Sequence, residues 1–582
     1  MTIAARAGRS PLIVVSVGLL LVCFVLITLT SSLEKSPTSD ESFHLMAGYS
    51  YLRWGDFRIN PEHPPLAKAL AALPLLFLKV DDGSLTRKER DLVQTDRIYG
   101  WRLANQWLFL KNPAETFFFY AKLPMIALSA VLGIFVFLWA RDIYGYTAAF
   151  AALTLYLFDP NIIAHSPIVH TDVPFALMFF ASTYFYWRTL RKTTWFNWFM
   201  TILLFSLSVI TKFTSVAILP IWAVLGGLRI VSPMPLQLRM FSKPQTTSGR
   251  WAKTGSLTLL FVSAIALGYV ALWSAYGFRY RAAPTQIGEF AGDRPNESPL
   301  LTKLIQSNRN NQLFPEAWVS GIAHASSFSE RASYLVGEIS DQGFGYYFPI
   351  AFAVKTPLPI LILLLITLRM ALINNKHRYD ERFLLIPLIL FFALAVYSRM
   401  NIGLRHILAI YPFLFVWLGG TVTALWDSRR YWKQCVVVLL GLWFIWSCAR
   451  AYPDYLAFFN ETIAPRSRHE TLVDSNLDWG QDLKGLKKWM NEQGVASIQL
   501  AYFGTAEPQY YGIQYMSKPG TFSAILAQPT NSENLAVSPY IAVSATHLSG
   551  VYLRPRNPYA HFLNEEPIAN IGGSILIFRD NR

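Results

Sequence analysis

The chain is poor in charge. Only 15% of its 582 residues are Asp, Glu, Lys or Arg, where a soluble domain carries about a quarter. Hydrophobic residues make up 53% and the mean hydropathy is +0.31, which excludes an ordinary soluble enzyme and marks a membrane protein. Cysteine is scarce as well. Cys23, Cys435 and Cys448 lie inside apolar runs without metal-ligand spacing, so they read as packing residues and imply no disulfide framework. No fixed-period repeat is present, which weakens a repeat-built transporter. The net charge of +15 is scattered through short loops between apolar runs, as the positive-inside rule produces. No basic stripe interleaved with stacking aromatics occurs, so nucleic acid is excluded as a partner. Finally, SSLEKSP after the first apolar run has no small-x-small cleavage pattern. With Arg6 and Arg9 ahead of it, that run reads as an uncleaved signal anchor.

What the chain does have is apolar runs. They begin near Leu12, Thr116, Tyr146, Pro174, Trp195, Phe213, Ser256, Tyr346 and Phe383, after the NIGLRH turn, and near Cys435. Together they predict a polytopic α-helical membrane protein of about eleven spans. LAKALAALPLLFL, which carries Lys68, is too short to span and reads as interfacial or re-entrant. With the first loop outside, every short Lys/Arg-rich loop falls on the cytoplasmic side. The loops 34–116 and 277–345, the HTD segment, the NIGLRH turn and the tail then share the outer face. After residue 450 the composition becomes that of a soluble domain. DLKGLKKWMNEQG has helical spacing with a Gly stop, and SIQLAYFG, YIAVSA and GGSILIFRD are strand-like. The chain thus divides into a transmembrane part, 1–450, and a small extracytoplasmic α/β domain, 451–582.

The outer face gathers ionisable residues at span ends: Asp40, Glu41, His44, His63, Lys68, His165, His170, Asp172, Lys212, Lys355, Arg405 and His406. An ionisable group at membrane depth is a functional hypothesis by default. Carboxylates there suit deprotonation of an acceptor hydroxyl or amine, and cations suit a phosphate leaving group in a water-poor site. Each has a plainer reading beside it. Asp40 and Asp172 can cap the helices that follow them, and Lys212 can snorkel. The histidines can be interfacial, and Arg405 can anchor the topology. His63, His170 and Asp172 could hold a divalent metal, though their spacing does not require one.

The order of motifs resembles a known group. Asp40-Glu41 followed by YLRWGDFRIN and EHPPLAKAL, HTDVP with Asp172, TKFTSVAILP, NIGLRHILAIYPFL, and PDYLAFFNE with DSNLDWGQDLKGLKKWM resemble the C-type (GT-C) glycosyltransferases. Within these the chain is similar to the protein O-mannosyltransferase and lipid A aminoarabinose transferase group, in a bacterial branch dependent on phospholipid carriers. The resemblance implies a polytopic inner-membrane enzyme that moves a sugar from a polyprenyl phosphate to a protein, lipid or glycan on the outer face. It implies Asp40 as the key catalytic group with Glu41 beside it, and Asp172 in a supporting role. It also implies Lys68, Lys212 and Arg405 on the donor phosphate. His63, His170, Lys355 and His406 are further candidates for substrate contact, and His406 departs from the Arg-Tyr pair of many relatives. The C-terminal Asp474, Asn476, Asp478, Trp479 and Gln481 can meet the acceptor or belong to a structural cap. The competing class is a multi-span transporter or lipid-linked sugar flippase.

Overall fold

A computed structural model describes residues 10–93, 97–240, 245–284, 299–327, 331–373, 378–523, 525–526 and 538–580. Parts of the expected loops, at 241–244, 285–298 and 374–377, lie outside the described residues. The elements used below are α1 (Ser10–Leu33), α2 (Glu41–Trp54), α3 (Leu66–Ala72), α4 (Ala114–Tyr144), α5 (Tyr146–Leu157), α6 (Asp172–Arg191), α7 (Trp195–Val209), α8 (Ile218–Val231) and α9 (Arg250–Ala275). They continue with α10 (Tyr347–Lys355), α11 (Leu358–Ile373), α12 (Arg378–Tyr397), α13 (Tyr411–Trp426), α14 (Tyr431–Arg450) and α15 (Leu483–Glu492).

Among the described residues, six helices are long and apolar enough to cross a membrane, and a bent pair makes a seventh. By that measure of length and composition fewer helices qualify than the eleven expected, for reasons visible in the elements. Helix α5 has 12 residues, about 18 Å at 1.5 Å per residue, and α7 has 15; neither reaches the roughly 30 Å of a hydrocarbon core. The first turn of α12 carries Asp380 and Glu381. Helix α6 is long enough, but it carries Ser182, Thr183, Tyr184, Tyr186 and Arg188 and is buried along almost its whole length. It is a central helix wrapped by others. Close approach in this core depends on small residues, as membrane helix packing requires. A Cβ on Gly419 of α13 would lie 2.6 Å from the Ala148 carbonyl of α5.

The bent pair is α10 and α11, which meet at 113°. Thr356 stands before Pro357 in extended geometry, as a residue preceding proline prefers. The break frees carbonyls that lipid cannot satisfy. Asn460, beyond the last span, supplies the donors: its Nδ2 reaches Ala353 O at 2.6 Å and Thr356 O at 2.8 Å. Its own backbone N–H donates to Val354 O at 2.9 Å. Lys355 Nζ donates to Leu456 O at 2.8 Å and Asn476 O at 2.5 Å. The chain after α14 is thereby fastened to the break.

Beyond α14 lies a five-stranded mixed sheet of β1 (Ile498–Ala501), β2 (Tyr515–Ser517), β3 (Tyr540–Ser544), β4 (Ala569–Ile571) and β5 (Ile575–Arg579), in the order β2-β1-β3-β5-β4. Strand β1 runs parallel to both β2 and β3; β5 is antiparallel to β3 and β4. The sheet has no core of its own. Ile541, Val543 and Phe578 share one buried cluster with α6 and α13, and Leu500 and Ile577 share another with α2 and α4.

The Asn460 amide gives a direct test of this arrangement. Asn460→Ala leaves two buried carbonyls without donors and should lower stability by about 2 kcal/mol, read as a fall in the thermal midpoint in detergent. Asn460→Asp keeps the shape and the acceptor but loses both donors, so it should be no better than alanine.

Candidate active site

Asp40 occupies the N-cap position of α2, yet its side chain makes no capping bond. Its carboxylate is free for another use, and Oδ2 stands 3.5 Å from Nη1 of Arg405. Asp172 opens α6 behind Thr171 and likewise spends no oxygen on the cap. Its Oδ1 pairs with Lys212 Nζ, and its Oδ2 lies 3.8 Å from the same Arg405 Nη1. Lys212 sits between α7 and a short 3-10 turn, Phe213–Ala217, buried against Asp172 and not snorkelling outward. Arg405 in turn sits over the Trp479 indole, with Cζ 4.1 Å from its centroid. One guanidinium thus bridges two carboxylates that are 132 positions apart in the chain.

These groups face a cavity of about 420 Å³. Asp40, His63, His170, Asp172, Lys212, Arg405 and His406 all line it. His44 lines it too, and its Nδ1–H donates to Val169 O at 2.8 Å. Burial lowers its pKa to about 4, so the ring is neutral and offers Nε2 as an acceptor. Burial and the nearby Lys212 hold His63 well below the usual histidine range, so it too is neutral. His170 is engaged at both ring nitrogens: Nδ1 lies 2.8 Å from the backbone N of Asp172 and 3.1 Å from its Oδ2, and Nε2 donates to His165 O at 3.0 Å.

Four of the expected residues stand elsewhere. Glu41 is turned away from the cavity: Oε2 accepts Thr38 N–H at 2.7 Å, and Oε1 accepts Val169 N–H at 3.0 Å. It staples the first loop to the segment before α6 and is not a second carboxylate beside Asp40. Lys68 is buried behind the wall, where its Nζ donates to Asn60 O at 2.6 Å and Asn60 Oδ1 at 3.2 Å. Burial pushes its pKa well below the usual lysine value, so it is no ready phosphate ligand. Lys355 is consumed by the two carbonyls at the bent span. His165 holds Asn161 O at 2.8 Å and does not line the cavity. The divalent-metal expectation also lacks its donor set. Both nitrogens of His170 are occupied, and among the described residues no three His, Cys, Asp or Glu side chains are grouped to hold an ion.

The cavity also contains residues not anticipated from the sequence. Glu62 and His324 face each other at 3.3 Å, and Arg331 lies 5.2 Å from the Tyr552 ring. Trp101, Phe503, Phe522 and Ile525 form an apolar side. Glu62 is the first residue of the quoted EHPPLAKAL motif, the one signal that could have found it. His324 lies on the helix Glu316–Ser327 and Arg331 shortly after it, both ahead of the SYLVGEISDQG stretch, and no motif includes either. Of the C-terminal candidates only Trp479 reaches the cavity. Asp478 is buried beneath it and accepts Thr546 N–H at 2.9 Å.

Residues 115–241 match the family described as Dolichyl-phosphate-mannose-protein mannosyltransferase, a stretch that contains Asp172 and Lys212. That family belongs to the glycosyltransferase group that the motifs resemble, and the match covers less than a quarter of the chain. No curated protein sequence matches. Two solved structures are similar in outline. ArnT from Cupriavidus metallidurans bound to undecaprenyl phosphate is 11% identical, with 96% of this chain and 97% of that chain covered and a TM-score of 0.43. Archaeal oligosaccharyltransferase AglB from Archaeoglobus fulgidus, in complex with an inhibitory peptide and a dolichol-phosphate, is 11% identical, with 91% and 71% covered and a TM-score of 0.42. Likenesses this remote fix neither fold nor chemistry.

Asp478 yields a pH prediction. Burial raises its carboxyl to about 8, far above the unfolded value of 3.8, with backbone bonds from Thr546 and Gly480 opposing the rise. The folded chain therefore holds a proton that the unfolded chain releases. Stability from this group is complete below pH 4 and is lost as pH rises through 8. Thermal midpoints of Asp478→Asn, measured from pH 5 to pH 9, should fall less steeply than those of the wild type.

Proposed function

We propose that this chain transfers a glycosyl group from a polyprenyl-phosphate-linked donor to an acceptor, at the outer face of the cell inner membrane. The observation that carries the reading is the convergence of Asp40, Asp172, Lys212 and Arg405 on one cavity at the ends of membrane helices. The family matched over 115–241 is named for a dolichyl-phosphate-linked mannose, a lipid-phosphate sugar, which supports the same class. An acid beside a cation answers the two demands of the reaction. The acceptor must lose a proton as it attacks, and the leaving phosphate must be held as negative charge gathers on it.

The two carboxylates are not equivalent. Asp172 is committed to Lys212 on one oxygen and faces Arg405 with the other, and its side chain is only 4% exposed. Asp40 has the long contact to Arg405 alone and is 28% exposed. Asp40 is therefore the base. It takes the proton from the acceptor hydroxyl or amine while that atom attacks the anomeric carbon, and the bond to the phosphate oxygen breaks with its electron pair. Lys212 and Arg405 receive the departing phosphate. Asp172 holds Lys212 in place through their ion pair. The displacement is single and inverts the anomeric centre, so a β-linked donor gives an α-linked product. A two-step retaining route needs a second carboxylate about 5 Å from the first. The carboxylate oxygens lie 3.5 and 3.8 Å from one nitrogen, hence no more than 7.3 Å apart, but Asp172 is too heavily paired to act as a nucleophile.

The deciding assay is transfer of radiolabelled sugar from a panel of polyprenyl-phosphate donors, using membranes matched for expression of wild type and Asp40→Asn. Loss of the base should reduce incorporation by about 10²- to 10⁴-fold. Wild-type transfer that survives the substitution removes Asp40 from its role. Absence of wild-type transfer from every donor overturns the enzyme reading in favour of a chain that moves its ligand unchanged.

A further inference from the structure

The segment Ser475–Gln481 touches both halves of the charged pair. On one side, Ser39 N–H donates to Trp479 O at 2.8 Å, and Ser36 N–H donates to Gln481 O at 2.9 Å. The side chains repeat the pattern: Ser39 Oγ reaches Trp479 O at 3.2 Å and Ser36 Oγ reaches Gly480 O at 3.1 Å. The residue immediately before Asp40 is thus bound to the segment twice. On the other side, Asn476 Oδ1 accepts Leu404 N–H at 2.9 Å and Ser475 Oγ donates to Ile402 O at 2.8 Å. These two bonds straddle Gly403, and a Cβ there would lie 2.2 Å from Ser475 Oγ. The residue immediately before Arg405 is therefore held by the same segment.

The side chain of Arg405 is then seated by Trp479. Its contacts to Asp40 and Asp172 are long, 3.5 and 3.8 Å, and its buried Nε has no hydrogen-bond partner. Ion pairs at that distance do not fix a rotamer. A guanidinium whose Cζ sits 4.1 Å over the indole centroid is held by cation–π and dispersion attraction. The seven residues are themselves rigidly placed. Asn476 Nδ2 donates to Tyr347 OH at 2.7 Å, Lys355 donates to the Asn476 carbonyl at 2.5 Å, and Asp478 accepts Thr546 N–H at 2.9 Å.

We propose that Ser475–Gln481 is the positioning element of the site, setting the separation of Asp40 and Arg405, with Trp479 and Asn476 as positioning residues that act through Arg405. The chain beyond the last span is then part of the catalytic machinery and not a cap over it. The consequence for the donor phosphate rests on the glycosyltransferase reading above; the consequence for Arg405 does not.

Two measurements test this on the full-length protein. The first needs no ligand: phenylglyoxal modification of Arg405, followed by peptide mass spectrometry. Trp479→Leu should speed it about tenfold, and Trp479→Phe, which keeps an aromatic face, should restore protection to within about threefold of wild type. A Trp479→Leu rate within twofold of wild type, with the thermal midpoint unchanged, overturns the proposal. The second is binding of undecaprenyl phosphate to the detergent-solubilised protein. Trp479→Leu should weaken it about tenfold in the wild-type background and less than twofold in an Arg405→Lys background, because one role cannot be lost twice. Equal losses in both backgrounds show that Trp479 acts independently of Arg405 and overturn the proposal. Failure of the wild type to bind undecaprenyl phosphate counts against the donor reading alone, and the labelling experiment still decides the positioning.

Discussion

A carboxylate at the end of a membrane helix cannot ionise against bulk water, so it needs a cation brought to it by another part of the chain. That constraint organises this molecule. Asp172 at the first residue of α6 is paired with Lys212 from the other end of the α6–α7 hairpin, both nearly excluded from solvent. Removing one member of such a pair leaves the other as a buried charge, which costs about 3–5 kcal/mol and far exceeds what an exposed pair contributes. The pair therefore fixes where α6 begins relative to the break after α7. Arg405 then arrives from a third segment, and its charge is shared between Asp172 and Asp40. Asp40 meets Arg405 at 3.5 Å and, at 28% exposed against 4% for Asp172, is the acid of the pair that stays open to the cavity.

Much of this was legible in the sequence because the cause was local. Asp40 and Glu41 directly after a long apolar run, Asp172 ahead of Pro174, Lys212 between two apolar segments and Arg405 in a short turn each announce an ionisable group at a helix end. All but Glu41 line the cavity. The strands Ile498–Ala501, Tyr540–Ser544 and Ile575–Arg579 also fall within the β-branched and aromatic runs that suggested them.

What the sequence concealed depends on contacts between distant segments. Glu41, Lys68 and Lys355 are ionisable residues of the same kinds, carboxylate and lysine, as those lining the cavity. What separates them is that backbone groups consume their bonds: two N–H groups for Glu41, the Asn60 carbonyl for Lys68, and the Leu456 and Asn476 carbonyls for Lys355. Nothing in the local spacing says which lysine meets a carboxylate and which meets a carbonyl. The expected span count exceeds the six or seven long apolar helices among the described residues for a related reason. Apolar character measures burial as readily as it measures contact with lipid. Helices α5, α6 and α7 pack on one another and on α13, so part of their apolar character answers to that core.

The placement of the C-terminal segment follows from the same logic. A broken helix within a membrane protein must find donors for its freed carbonyls, and here they come from Asn460, a few residues past the last span. Once that anchor is set, Lys355 reaches Leu456 and Asn476, and Asn476 in turn reaches Tyr347 and Leu404. Each contact satisfies a polar group that would otherwise be stranded, and each brings the following residues nearer the turn that bears Arg405. The segment at 475–481 therefore meets the charged cluster because the bent span has already drawn it there. A polar defect in one helix has become the means by which a segment beyond the last span takes its place at the cavity.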